Sequence, residues 1–399
     1  MIFSYDITIH FHSFCCGITR SYRGDIFQDF DFIPVLFYNY YNNINLLRQT
    51  YNRGVLMNKL SAEALNRFCF KILLAEGVDE ACAHDVADLL IDAELTGVTT
   101  HGVSRLAIYV QRVRAGVVSK EKNIRILNES PSTLVIDAGN TFGAPSAKFA
   151  MEACIAKAKE TGCCFATVKN SNHFGTGAFY TKLAAKADMI GFICTNVTGK
   201  IAPYGSKTAY IGTNPFSIAA PSDGDPFLLD MTPTVVALGK LIDAQRLGKP
   251  IPLGWALDEE GRPTTDPAAG RRGSLVPIGG AKGSGMAMAV EILAGILSGA
   301  GYSRYLHDLY SMDAPQGLGH FVGAIDVAHF IDVATFKTML GSFMNEIRHL
   351  DLAEGFSEIR TPGERGLKQL RENLENGICI PDQIYEELSA LGKQHGLSI

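Results

Sequence analysis

The chain has 399 residues, with 36 Lys and Arg against 41 Asp and Glu, a formal net charge of −5 and 47% hydrophobic residues. So much apolar material excludes a disordered or collagen-like chain, and the mildly acidic balance argues against a nucleic-acid binder, which needs a basic face to neutralise phosphates. Nine irregularly spaced cysteines, with no CxxC, HExxH or Cys/His cluster, exclude a disulfide framework and a metal site, and they fit a reducing, cytoplasmic setting.

Residues 1–56 stand apart, holding 13 of the 37 aromatic residues and no Ala, Glu or Lys. Asp6, His10 and His12 interrupt the apolar run, and the first basic residue is Arg20, so this is not a secretion signal. Arg53-Gly54-Val55 is what a purine-rich ribosome-binding stretch would yield on translation. Residues 1–56 are therefore expected to be a non-native leader, with Met57 as the first residue of the functional protein.

From Ser61, a capping residue, apolar positions recur at helical spacing through Leu65, Phe68, Ile72 and Leu73. Gly77 ends this helix, and Asp79 opens a second that runs to Leu95. A third amphipathic segment covers 104–113. Strand-like runs at 133–136, 163–168 and 190–195 alternate with helical patterns at 144–159 and 180–186, the rhythm of an α/β protein. Pro- and Gly-rich turns fill 205–226 and 248–280, and the tail returns to helix at 332–347 and 381–391. The weakly charged stretch 283–301 carries Glu291 near its middle and reads as a buried helix, so no transmembrane segment is expected.

The GxGxxG fingerprint that brings a backbone close to a dinucleotide pyrophosphate is absent, and so is a GxxxxGK[ST] loop. Gly175-Thr176-Gly177, Gly283-Ser284-Gly285, Gly299-Ala300-Gly301 and Gly317-Leu318-Gly319 each lack the third glycine. Two histidine segments stand out instead. In the first, His101, Arg105 and Tyr109 are spaced i, i+4, i+8 and share one stripe if a helix begins at His101. Arg105 suits a carboxylate and His101 a proton, although an exposed polar helix face is the plainer reading. In the second, Asn172-His173-Phe174-Gly175 follows a strand end, where α/β proteins place ligands, and His173 is either a general acid/base or a helix-capping histidine. Lys200 ends the next strand as a candidate cation.

The order of Thr100-His101-Gly102 with Arg105, Asn172-His173-Phe174-Gly175, Gly212-Thr213-Asn214-Pro215, Asp230-Met231-Thr232, Gly254-Trp255-Ala256-Leu257-Asp258, Pro263-Thr264-Thr265-Asp266-Pro267, Gly279-Gly280-Ala281-Lys282-Gly283 and Pro362-Gly363-Glu364 resembles that of the type-2 malate/L-lactate dehydrogenase family. That family also holds ureidoglycolate and sulfolactate dehydrogenases, diketogulonate reductase and cyclic-imine reductases. The resemblance runs from about Met57 to the C-terminus.

It implies a non-Rossmann α/β fold and an NAD(P)-dependent oxidoreductase, with NAD the favoured of the two cofactors. The chain would act on a small 2-hydroxy or 2-oxo acid of malate or lactate type. Ureidoglycolate oxidation or C=N reduction at the same site are the alternatives, and a non-enzymatic homologue is a third. Helical parts 57–130 and 334–399 would join around a central cofactor domain, 131–333, in a homodimer whose partner completes the cleft.

By the same resemblance His173 is the proton acceptor, and His101 a substrate ligand or alternative acid/base. Thr100, Arg105, Tyr109 and Lys200 surround the substrate. Gly175, Thr176, Asp230, Met231, Thr232, Lys282, Pro362, Gly363 and Glu364 contact the cofactor. Pro233, and Leu238 where an arginine is common, depart from the family pattern and bear on NAD against NADP. No nucleic acid or membrane is expected as a partner.

Overall fold

The computed structural model describes residues 57–399, so the expectations for residues 1–56 lie outside the described residues. Strand β1 (Met57–Leu60) leads into helices α1 (Ala62–Ala75) and α2 (Glu80–Leu95). Both helices start where the capping residues predict. Ser61 Oγ accepts the Ala64 N–H at 3.1 Å and Asp79 Oδ1 accepts the Cys82 N–H at 3.1 Å, each satisfying a donor that a helix start leaves without an intrahelical partner. Two 3₁₀ turns, Thr99–His101 and Val103–Arg105, then precede α3 (Leu106–Arg114). The α-helix thus begins at Leu106 and not at His101, because the chain turns at Gly102 (φ −88°, ψ −148°) between the two short turns.

Next come β2 (Arg125–Glu129), β3 (Thr133–Asp137), α4 (Gly143–Thr161), β4 (Cys163–Ser171), α5 (Gly177–Lys186) and β5 (Met189–Thr195). Strand β6 (Phe216–Ala220) lies inside the stretch read as turns, and β7 (Phe227–Met231) follows it. Helix α6 (Leu238–Arg246), strands β8 (Ala256–Leu257) and β9 (Pro263–Thr264), helix α7 (Pro267–Arg272) and strand β10 (Ser274–Leu275) form a small lobe. Leu241, Ile251, Ala256 and Leu275 are its core. Helix α8 (Ala281–Val290) continues as a π-helical stretch, Glu291–Ile296, before β11 (Leu318–Asp326), α9 (Val333–Arg348), α10 (Glu364–Asn376), β12 (Ile378–Pro381) and α11 (Asp382–Lys393).

The main sheet has seven strands in the order β2-β3-β4-β11-β5-β6-β7, and β3 with β4 is its parallel pair. This mixed sheet differs from the parallel sheet of a GxGxxG protein. Successive side chains of a strand point to opposite faces. On β11, Val322 and Ala324 accordingly join the large core with Met151 and Cys154 of α4, while Phe321 packs with Val290 and Ala294 across the other face. Strands β1 and β12 pair antiparallel, Met57 opposite Pro381, so the C-terminal segment closes back on the first helices.

The stretch 283–301 is a correction. Helix ends at Ile296, and Met288, Ile292, Ile296 and Leu297 are more than half exposed, so one face is buried rather than the whole circumference. Among the described residues no helix is long and apolar enough to cross a membrane, no His/Cys/Asp/Glu group could hold a metal ion, and the cysteines are free thiols.

Gly319 shows how tightly β11 is covered: a Cβ there would fall 1.9 Å from the Ala294 carbonyl oxygen in the π-helical stretch. Gly319→Ala is therefore expected to destabilise the protein by about 3 kcal/mol, the upper part of the overpacking range, as read by urea unfolding.

Candidate active site

The turn after β4 is set from below. A Cβ on Gly143, the first residue of α4, would lie 2.3 Å from the Asn172 carbonyl oxygen, so glycine lets the Asn172-His173 backbone rest on that helix start. Asn172 Nδ2 donates to Thr141 O at 2.9 Å and Asn140 Oδ1 at 3.0 Å, and the His173 N–H donates to Gln316 Oε1 at 2.9 Å. Gly175, at φ +73°, sits where a Cβ would fall 2.7 Å from Leu89 of α2. The imidazole is thereby fixed at the carboxyl end of β4, facing the helical layer.

From that layer Tyr109 on α3 reaches His173, its hydroxyl 2.7 Å from Nδ1. His101 stacks on His173 with ring centroids 5.6 Å apart and planes 21° from parallel, and its Nδ1 is 3.0 Å from Thr100 Oγ1. Arg105 Nε donates to Thr100 O at 2.6 Å, and its Nη1 donates to the Tyr310 hydroxyl, with the Tyr310 ring centroid 6.0 Å from Cζ. His101, Thr100, Arg105, Tyr109 and His173 thus meet in one place, although the 3₁₀ turns, and not a single helical stripe, bring them there. Lys200 joins through the same strap as Tyr310: its Nζ pairs with Asp308 at 3.1 Å, and Asp308 also accepts the Tyr310 N–H at 3.0 Å.

Burial, followed by the neighbouring Arg105 charge, lowers His101 to about 4, and burial with the His101 and Arg105 charges holds His173 well below the usual histidine value. Both rings are neutral near pH 7. Burial raises Tyr109 above the usual phenol range, so it stays protonated. A hydroxyl rotates to suit its partner. Tyr109 donates to Nδ1 when Nε2 carries the proton, and accepts from Nδ1–H when Nε2 offers its lone pair.

A second group of predicted residues meets at the start of α5. Asp230 Oδ2 accepts the Ala178 N–H at 2.9 Å, and Thr176 is buried beside it with its Oγ1 without a hydrogen-bond partner among the described residues. Thr232 Oγ1 lies 2.6 Å from Thr234 Oγ1 at the end of β7, following Met231. Ile278 N donates to Pro233 O at 3.0 Å, which brings the Gly279-Gly280 turn and the exposed Lys282 to the same strand end. Leu238 opens α6, whose Gly239 would place a Cβ 3.0 Å from Thr100 Cγ2, linking the two groups. Pro362-Gly363-Glu364 runs along the far edge of β7. Leu228 N donates to Pro362 O at 3.1 Å, and the Glu364 carboxylate is taken by Thr361 Oγ1 at 2.6 Å and by Arg348.

Sequence reasoning missed Tyr310, Asp308, Gln316, Arg112 and His320. The first three sit in a loop with no regular pattern. His320 stands in an apolar run, and Arg112 falls at helical spacing on the buried face with Tyr109 and Val113, signals that could have flagged them. His320 is fully buried on β11, stacked 4.9 Å from Phe174. Its Nδ1 lies 2.8 Å from Thr195 Oγ1, which donates to Gly319 O at 2.9 Å, and its Nε2 lies 2.7 Å from Ser171 Oγ, itself 2.8 Å from Ser146 Oγ. Both ring nitrogens thus have hydroxyl partners, and burial favours the neutral ring.

The profile of the malate/L-lactate dehydrogenase family matches residues 60–389. The malate dehydrogenase of Pyrococcus horikoshii is 37% identical over 347 residues, covering 85% of this chain and 96% of the relative. Its solved structure superimposes with a TM-score of 0.79 at 35% identity, over 86% of this chain and 98% of that one. The ureidoglycolate dehydrogenase (NAD(+)) of Escherichia coli K12 is 33% identical over 83% of this chain and 95% of its own length. The (2R)-3-sulfolactate dehydrogenase (NADP(+)) of Chromohalobacter salexigens is 36% identical over 80% and 93%. The chain belongs to the malate/L-lactate dehydrogenase family of NAD(P)-dependent oxidoreductases, which act on the CH–OH group of their donors.

Burial lowers His320 to about 3, so its native pKa lies below its unfolded value. Such a group contributes stability that is complete above the unfolded pKa and is lost as pH falls toward the folded one. Between about pH 7.5 and about pH 5 this ring is expected to remove about 2 kcal/mol of unfolding free energy. Urea unfolding at both values should show a smaller drop in His320→Gln.

Proposed function

We propose that this chain interconverts a small 2-hydroxy acid of malate or lactate type and its 2-oxo acid, using NAD or NADP. The observation that carries the reading is the cluster of a neutral His173 hydrogen-bonded to Tyr109, stacked on His101 and adjoining Arg105. Arg105 keeps guanidinium N–H groups for the substrate carboxylate beyond those given to Thr100 and Tyr310, which fixes the hydroxyl carbon beside His173. In oxidation His173 Nε2 takes the hydroxyl proton while Tyr109 accepts from Nδ1–H, and in reduction the same proton returns to the carbonyl oxygen. His101 and Lys200 flank the substrate.

Thr176 supports the cofactor assignment: a buried hydroxyl without a partner among the described residues, beside Asp230 and close to a strand end, suits a polar ligand. Gly175, Thr176, Asp230, Met231 and Thr232 would hold it. Lys282 at the Gly279-Gly280 turn would meet its phosphates, and Pro362-Gly363-Glu364 would shape the edge strand. When bound, the nicotinamide supplies the acceptor or donor of the carbon-bound hydrogen and its electron pair. In this reading 131–333 is the cofactor-bearing part, and 57–130 with 334–399 covers the substrate side. The free thiols favour a cytoplasmic setting. The exposed Met288, Ile292, Ile296 and Leu297 favour a homodimer.

Absorbance at 340 nm with NADH and with NADPH, across pyruvate, oxaloacetate, sulfopyruvate, ureidoglycolate with the oxidised nucleotides, and a cyclic imino acid, tests the reading. Turnover of an oxo acid is the expected result. Turnover restricted to the imine or to ureidoglycolate would replace it. His173→Ala should lower kcat by at least about 10²-fold with nucleotide affinity kept, while Arg105→Ala should chiefly raise KM. Light scattering should give twice the chain mass.

A further inference from the structure

Glu94 lies in the last turn of α2, almost wholly buried. Its Oε1 accepts the Val103 N–H at 2.9 Å, across from the helix to the turn between Thr99–His101 and Val103–Arg105. The end of α2 that carries Glu94 is itself held: Asn373 Nδ2 on α10 donates to Glu94 O at 3.1 Å and Leu95 O at 3.0 Å, and Thr96 Oγ1 donates to Asp92 O at 2.7 Å. The carboxylate is therefore a fixed point, and the loop is attached to it.

Gly102 is built around that carboxylate. Its φ of −88° is not the left-handed conformation that calls for glycine. A Cβ at this position would meet Glu94 Oε1 at 2.0 Å, Cδ at 2.4 Å and Cγ at 2.7 Å, so the three nearest atoms all belong to Glu94. Glycine is required at 102 because Glu94 occupies the space a side chain would take. Thr100 and His101 precede this glycine, and Arg105 follows it three residues on.

We propose that Glu94 is a positioning residue, which through the Val103 N–H and the space it takes beside Gly102 sets the turn that aims His101 and Arg105 at the substrate. This rests on the reading of His101 and Arg105 as substrate-side groups. Glu94 touches neither substrate nor cofactor. Burial pushes its carboxyl up to about 7, against the Val103 N–H that favours the ionised form, so it is held here at an electrostatic cost that packing alone would not require. An apolar residue of the same length would fill the volume and leave the loop unattached.

The test uses the full chain with Glu94→Leu, Glu94→Gln, Gly102→Ala, Glu94→Ala and the double variant Glu94→Ala/Gly102→Ala. Three readouts are taken: steady-state reduction of the best oxo acid, NADH or NADPH affinity by fluorescence titration, and hydrogen exchange of peptides covering residues 99–105. Glu94→Leu and Gly102→Ala should each raise KM by about ten-fold or more, with nucleotide affinity within about two-fold and faster exchange in that peptide. Glu94→Gln, which keeps an acceptor oxygen, should stay within about three-fold of the parent. The double variant should be no worse than Glu94→Ala, because the added methyl then has room. Unchanged KM and exchange in Glu94→Leu, or additive damage in the double variant, would overturn the proposal. If Glu94→Leu does not fold, Gly102→Ala and the double variant decide it. If the parent turns over no oxo acid, the functional reading fails, and exchange alone still separates an attached loop from a loose one.

Discussion

One buried guanidinium holds the site together. Arg112, on the inner side of α3, is 1% exposed and faces no carboxylate within ion-pair distance among the described residues. A charge in that position has to be solvated by dipoles. Leu309 O at 3.0 Å and Ser311 O at 2.6 Å accept from Nη1, and Ala314 O and Asn172 Oδ1, both at 3.5 Å, lie around Nη2. The loop between Leu306 and Gln316 takes its course from these carbonyls. That course sets Tyr310 against Arg105, Asp308 against Lys200 and Gln316 under the His173 N–H. Helical layer, strand end and loop meet at a single side chain, and Arg105, Lys200 and His173 meet their loop partners along the course it sets.

Around this anchor the titratable groups divide by how their protons are shared. His320 is closed on both nitrogens by hydroxyls and has nothing left to exchange. His173 is closed on one nitrogen by Tyr109, and its Nε2 has no partner among the described residues. Both rings are kept neutral by burial, but one is enclosed in the sheet and the other is partly exposed at the strand end. The two histidines differ in a single unsatisfied nitrogen more than in their surroundings.

Much of this was legible in the sequence where the cause is local. Ser61 and Asp79 announce their helices because a cap acts over three residues, and strands β4 and β5 announce themselves by continuous apolar runs. The family motifs carried the two histidine segments to one site. Where the cause is distant the sequence was silent. Arg112 and Tyr310 act across about 200 positions, and no periodicity records that. The stripe drawn through His101, Arg105 and Tyr109 grouped residues that do meet, but not along one helix, since the chain turns at Gly102 and α3 begins only at Leu106. Strand β6 was lost among glycines and prolines because its pairing with β5 and β7, and not its own composition, makes it a strand. The exposed face of 283–301 could not be told from a buried one, because both are apolar.

The place of β11 in the sheet has a consequence for how the chain reaches this state. It lies between β4 and β5, yet it is the last strand of that sheet to leave the ribosome, about 150 residues after β4. Until Asp326 has been made, β4 and β5 present open edges, and the large core lacks Val322 and Ala324. Closing such a loop before any contact rewards it is slow, and unpaired apolar edges invite other chains. The sheet is therefore completed last at its middle, after both flanks exist, and nascent chains have to keep those edges apart until the central strand arrives.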